Sequence, residues 1–140
     1  MKKIDTLVED INKLFTSEDP PIPEKEVDAL IDTFAVSIKE HLKTFLYEQP
    51  RRNSNLRLSV IGRPDRQLWY DINQPNEKPL SSSLRIKFLY GYLLEELLIL
   101  LSSVAGHEVT HQQKEVTVEG IKGHQDCMID NFLIDMKSAS

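Results

Sequence analysis

Residues 123–137 read Gly123-His124-Gln125-Asp126-Cys127-Met128-Ile129-Asp130-Asn131-Phe132-Leu133-Ile134-Asp135-Met136-Lys137, and how this stretch pairs with itself decides the fold. Asp130-Asn131 suits a two-residue hairpin loop, because Asp and Asn both tolerate a left-handed backbone. Counting outward from that loop sets Ile129 against Phe132, Asp126 against Asp135 and His124 against Lys137. Opposed residues carry Cβ atoms about 5 Å apart, and alternation puts Asp135 and Lys137 on the face that Asp126 and His124 share. Two carboxylates so close raise one another's pKa unless a cation lies between them. Oxygen ligands favour Mg²⁺ or Mn²⁺ over zinc, and Mg²⁺ takes one or two carboxylates while keeping waters and phosphate oxygens. Lys137 at the rim would stabilise developing negative charge or help deprotonate a metal-bound water. The plainer reading is a solvent-facing hairpin on which Asp, Asp, Lys and His form weak ion pairs.

A third acid lies upstream. Glu95 and Glu96 interrupt the apolar run Leu93 to Leu101, and neighbours on a helix point about 100° apart. At least one of the two therefore faces the buried side, where a carboxylate needs a partner or a metal. Ser81-Ser82-Ser83 offers N-caps for this helix, which runs to about Val104 and stops at Gly106. Beyond Gly106 the apolar spacing changes, and Val109, Val116, Val118 and Ile121 among β-branched and polar neighbours predict two or three strands in all.

The N-terminal part is helical. Ile4, Leu7, Val8, Ile11, Leu14 and Phe15 follow the spacing of an amphipathic helix, and Val27, Leu30, Ile31, Phe34, Ile38, Leu42 and Phe45 carry a second one to about Tyr47. Three prolines, Pro20, Pro21 and Pro23, separate them, and Pro50 ends the second. Residues 50–83 read as loop, with a short strand at Leu56–Ile61 and a short helix at Arg66–Tyr70. The organisation expected is an N-terminal helical region over 1–50 and a core over 51–140, an α/β (α+β) arrangement of helices followed by an antiparallel meander.

Composition bounds the function. The 140 residues are 40% hydrophobic and 28% charged, the pattern of one globular domain. The lone Cys127 excludes an internal disulfide framework and suits a reducing cytoplasm. A polar, soon acidic start argues against export, and the apolar run falls short of the ~20 residues of a membrane span. Net charge is −5, yet Arg51, Arg52, Arg57, Arg63 and Arg66 gather within sixteen residues that hold one acid, Asp65. Arginine forks of that kind meet phosphate oxygens, although a solvated loop explains them equally well. Of these, Arg57, Arg63 and Arg66 are the candidates for phosphate-backbone contact, with His124 as a further phosphate contact or a plain structural histidine. Trp69 and Tyr70 read as core.

Four motifs in order resemble the PD-(D/E)XK nuclease superfamily, in its RecB-like branch of phage and CRISPR-adaptation exonucleases. Gly91-Tyr92-Leu93-Leu94-Glu95 looks like the helix motif, Gly123-His124-Gln125-Asp126 like Gly-x-x-Asp, and Asp135-Met136-Lys137-Ser138 like Asp/Glu-x-Lys. The stretch Leu58-Ser59-Val60-Ile61-Gly62-Arg63, with Arg66 and Tyr70 beyond it, is similar to the branch's Ser-x-x-Gly…Arg-x-x-x-Tyr segment. The resemblance implies a restriction-endonuclease-like core, with Glu95, Asp126, Asp135 and the Met136 carbonyl holding Mg²⁺ or Mn²⁺, and Glu96 as the alternate for Glu95. It implies that Lys137 positions or activates the attacking water, that the product carries a 5′-phosphate, and that the setting is DNA recombination, replication or repair in a phage or other mobile element. Cysteines for an iron–sulfur cluster are missing from the sequence. The family continues past its Lys-Ser with another helix and strand, so a partner chain, a second copy or further sequence is expected to complete the fold.

Other functions compete. A non-catalytic DNA-binding or assembly module would keep the fold without the chemistry, and a structure-specific endonuclease would keep the chemistry on another substrate. His107-Glu108-Val109-Thr110-His111 matches the zinc-protease pattern, which needs a helix. After Gly106, in a strand-prone context, the two histidines would stand ~13 Å apart, and both read as surface residues.

Overall fold

A computed structural model describes residues 2–17, 20–48, 56–73 and 80–137. After a 3-10 turn at Ile4–Thr6 come α1 (Leu7–Lys13), α2 (Glu24–Tyr47), a second 3-10 turn at Leu58–Val60, α3 (Asp65–Asn73) and α4 (Ser82–Val104). Five short strands follow: β1 (Val109–Thr110), β2 (Glu115–Val118), β3 (Ile121–His124), β4 (Cys127–Ile129) and β5 (Phe132–Ile134). The α+β class and the order of helices then antiparallel strands agree with the sequence reading.

Helix α4 is the spine. The Ser81 hydroxyl accepts the Leu84 N–H at its start, and Gly106, at φ 84°, takes the left-handed turn just beyond its end. Helix α2 packs along it. Between them Tyr92 stacks on His41 with ring centroids 3.3 Å apart and shares a 2.7 Å hydrogen bond with Ser37. Arg85 lies over the Phe45 ring at 4.8 Å and donates to the Phe45 carbonyl. Helix α4 also carries exposed Ile86, Phe88, Tyr90, Leu94, Leu97 and Leu98.

The strands form two small sheets, β1-β4-β5 and β2-β3. The β4–β5 hairpin has the expected register, with Ile129 opposite Phe132 and Cys127 opposite Ile134. Asp130 and Asn131 form its loop at φ 49° and 68°. A core of Ile99, Cys127 and Ile129, with Ile4, Leu7, Val109, Ile134 and Met136 against it, joins α4, α1 and this sheet.

Several local expectations are corrected. Five strands replace two or three, because Glu119-Gly120, at φ 49° and 80°, closes an additional hairpin between β2 and β3. Residues Leu58–Val60 form a 3-10 turn rather than a strand, with Arg57 making an isolated bridge to Lys122. Gly123 permits that turn's close approach, since a Cβ there would lie 2.8 Å from Leu58 Cβ. Trp69 and Tyr70 are 54% and 43% exposed and are not core. Neither is His107 on the surface: it is buried, and only His111 is exposed. Pro50, Arg51, Arg52 and Ser138 lie outside the described residues.

Candidate functional site

Asp126 stands where the two sheets meet. On one side it prolongs the β2–β3 pairing, as the Gln125 N–H donates to the Lys114 carbonyl (3.1 Å) and the Gln113 N–H to the Asp126 carbonyl (2.9 Å). On the other it lies just outside the last pair of the β4–β5 hairpin, Cys127–Ile134. Its carboxylate crosses to accept the Met136 N–H at 2.7 Å. The backbone of the Asp-x-Lys motif and the carboxylate of the Gly-x-x-Asp motif are thereby joined.

Glu95 meets this junction from α4. Its carboxylate accepts the side-chain amide of Gln113, the residue whose backbone holds Asp126. Burial pushes the Glu95 carboxyl above the ordinary range against the lowering effect of the Gln113 bond, and the negative charges of Asp126 and Glu96 push it the same way. Cys127 reports the same neighbourhood: its thiol is pushed up to about 11, first by burial and then by Asp126 and Glu95. The choice between the two glutamates follows from helix geometry. Glu96 is buried on the α2 side, where its charge acts on His41 and Tyr92, so Glu95 is the one that faces the strands.

Asp135 and Lys137 stand apart from that pair. They form a 2.6 Å ion pair with each other, both largely exposed. The Lys137 ammonium is held above its ordinary range by its bond to Asp135, by that residue's charge and, after a small opposing effect of desolvation, by Asp126. Among the described residues no group of three or more His, Cys, Asp or Glu is close enough to hold a metal. Mg²⁺ ordinarily takes one or two carboxylates from a protein, and Glu95 and Asp126 are the two acids nearest this junction that could serve it. The Glu95 carboxyl is raised first by burial and then by the charges of Asp126 and Glu96, and a divalent cation beside it would offset those effects.

His124 is placed differently from the expectation. It sits opposite Glu115 in the β2–β3 hairpin and not opposite Lys137, because the chain leaves one sheet for the other at Gln125-Asp126. Arg63 pairs with Asp71 at 3.3 Å, Arg66 lies 5.9 Å from the Tyr70 ring centroid, and Arg57 is exposed beside the β3 edge.

Sequence reasoning also missed a second polar cluster. His107 Nδ1 donates to Asp130 Oδ2 at 2.6 Å, and its Nε2 lies 3.3 Å from Asp10 Oδ2. Asp130 Oδ1 accepts the Glu108 N–H at 3.1 Å. Lys2 pairs with Asp10 at 3.1 Å and donates to the Ala105 carbonyl at 2.6 Å. This cluster fastens α1, the end of α4 and the hairpin loop together. Nδ1 of His107 is thus committed to Asp130, whereas its buried Nε2, although 3.3 Å from Asp10, makes no hydrogen bond; the other histidine of the pattern, His111, is exposed and bonds Thr110.

Comparison with protein-family models, with curated proteins and with solved structures gives no match. Among the described residues no helix is long and apolar enough to cross a membrane.

Proposed function

We propose that the chain is the core of a metal-dependent deoxyribonuclease of the PD-(D/E)XK type, hydrolysing DNA phosphodiester bonds with Mg²⁺ or Mn²⁺. One observation carries the reading: Gln113 is bonded both to the Glu95 carboxylate and to the Asp126 backbone carbonyl, while the Asp126 carboxylate accepts the N–H of Met136 in the Asp135-Met136-Lys137 motif. A surface hairpin with no chemistry gives no reason for a helix-borne carboxylate to be held, half-buried, against a second acid.

Glu95 and Asp126 would hold the cation, with Asp135 and the Met136 carbonyl as the further ligands implied by the motif. The cation would supply charge neutralisation at the phosphodiester and polarise its oxygens. Lys137, ion-paired with Asp135 at the rim, would attract the phosphate and stabilise the charge that develops there, or position or activate the attacking water. Arg57, exposed on the side of the 3-10 turn, would approach the DNA backbone.

The test incubates the protein and Asp135→Ala with linear, nicked and circular DNA, in Mg²⁺, Mn²⁺ or EDTA. Metal-dependent loss of linear DNA alone supports an exonuclease, and cleavage of nicked or circular DNA an endonuclease. No cleavage of any substrate turns the reading to a DNA-binding or assembly module.

A further inference from the structure

His107 stands where three parts of the chain meet. From the hairpin loop, Asp130 Oδ2 lies 2.6 Å from its Nδ1, and from α1, Asp10 Oδ2 lies 3.3 Å from its Nε2. The end of α4 contributes the Ser102 carbonyl, which accepts the His107 backbone N–H at 3.0 Å. The ring is completely buried, and Nε2 has no hydrogen-bond partner among the described residues. A neutral imidazole cannot suit both acids. With the proton on Nδ1, donated to Asp130, Nε2 turns a bare lone pair towards a second carboxylate; the other tautomer sets a lone pair against Asp130 at 2.6 Å. Protonated, the ring has an acid on each side, the condition under which a buried charge is tolerated. The further groups facing these acids are Lys2, Thr6 and Lys13 around Asp10 and the N–H of the exposed Glu108 at Asp130.

We propose that the contact of His107 with Asp10 is a pH-sensitive latch on the N-terminal helix, closed when the imidazole is charged and loosened when it is neutral. Packing alone holds this segment weakly. The 3-10 turn at Ile4–Thr6 and α1 bury no residue completely, and from them Ile4 and Leu7 pack against the core of Ile99, Cys127 and Ile129. The polar contacts of Asp10 with His107, and of Lys2 with Asp10 and the Ala105 carbonyl, therefore weigh heavily in docking. Histidine is the side chain that gains and loses its charge across neutral pH. Asp10 stays negative there, its carboxyl being lowered to about 2, first by the hydrogen bond from Lys2. The 3.3 Å approach of Nε2 to Asp10 lacks the alignment of a hydrogen bond, so the attraction between them is one of charge and needs the protonated ring. By linkage, a proton held in the docked state and released in the undocked one makes docking tighten as pH falls and slacken as it rises. Undocking uncovers the side of the core that Ile4 and Leu7 close.

The experiment follows the full chain by NMR at about pH 5.5 and about pH 8, on either side of neutrality, for the wild type, Asp10→Asn and His107→Gln. Imidazole nitrogen shifts read the charge on His107. Amide-exchange protection of α1 relative to α4, corrected for the intrinsic pH dependence of exchange, reads docking apart from unfolding of the whole chain. The wild-type ring is expected to carry two protons at the lower pH and one at the higher, with α1 protected about tenfold more at the lower, the effect of about one unit of proton linkage. Asp10→Asn keeps the size of the side chain and removes its charge, and His107→Gln cannot take up a proton. Each is expected to reduce that ratio to below about twofold. A wild-type ring that is neutral at the lower pH, or equal protection of α1 at both, overturns the latch. So does a wild-type ratio that persists in either variant. Where a variant fails to fold, the two wild-type readings decide by themselves.

Discussion

The carboxylate of Asp126 accepts the backbone N–H of Met136 at 2.7 Å, just beyond the last paired residues of the β4–β5 hairpin. The same residue adds negative charge next to Glu95, so it stabilises the strand end and strains the site at once.

Neutralising Asp126 separates these two effects. Asp126→Asn keeps a side-chain oxygen to accept the Met136 N–H and removes the repulsion of Glu95. Urea unfolding in EDTA should show this variant as stable as the wild type or more so, by up to about 1 kcal/mol, the familiar exchange of activity for stability at a functional site. Asp126→Ala loses the acceptor as well and should be less stable than Asp126→Asn, by about 1 kcal/mol for a bond to a partly buried backbone N–H.

His107 should be the costliest single position outside the strand core. Its side chain is wholly buried between Asp130 and Asp10, and His107→Ala opens a cavity and leaves the buried Asp130 carboxylate with only the Glu108 N–H. Breaking a buried network of this kind costs about 3 kcal/mol. His107→Gln, which can still donate to Asp130, should recover part of it, as read from the two urea midpoints.

Gly123→Ala tests the close approach of the 3-10 turn. The new Cβ would lie 2.8 Å from both Leu58 Cβ and Cδ1, and the first of these cannot swing away without moving the backbone. A cost of about 1–3 kcal/mol is expected for overpacking of this kind. Leu58→Ala should be less harmful in the Gly123→Ala background than in the wild type, in a double-mutant cycle on urea stability.

The N-terminal contact should be lost in acid. The Asp10 carboxyl is lowered to about 2, first by its hydrogen bond from Lys2 and then by that from Thr6. A lowered folded pKa means that the contribution to stability is complete above the ordinary value of 3.8 and disappears as pH falls through about 2. Lys2→Gln should move that loss to higher pH, seen by following the amide resonances of α1 during acid titration.

How much of this was legible in the sequence depended on how far apart the partners lie. The β4–β5 hairpin was readable because its loop, Asp130-Asn131, announces a left-handed turn, and the register then follows by counting. Helix α4 was readable from its serine caps and Gly106. The β2–β3 hairpin was not, because Glu119 is an unusual first residue for such a turn, and missing it sent His124 to the wrong partner. His107 looked like a surface histidine because its partners, Asp10 and Asp130, lie far away in the chain on both sides. Gln113 carried no signal at all: nothing in its neighbours tells that its backbone turns left-handed or that its amide reaches a helix eighteen residues earlier.

The account depends on Glu95 and Asp126 serving one cation that acts on DNA, and single-turnover cleavage of an end-labelled linear duplex tests this most directly. In Mg²⁺ the wild type should release products bearing a 5′-phosphate, EDTA should stop the reaction, and Glu95→Gln and Asp126→Asn should each lower the rate at least a hundredfold while remaining folded. Cleavage at the wild-type rate by either variant, or in EDTA, would contradict it.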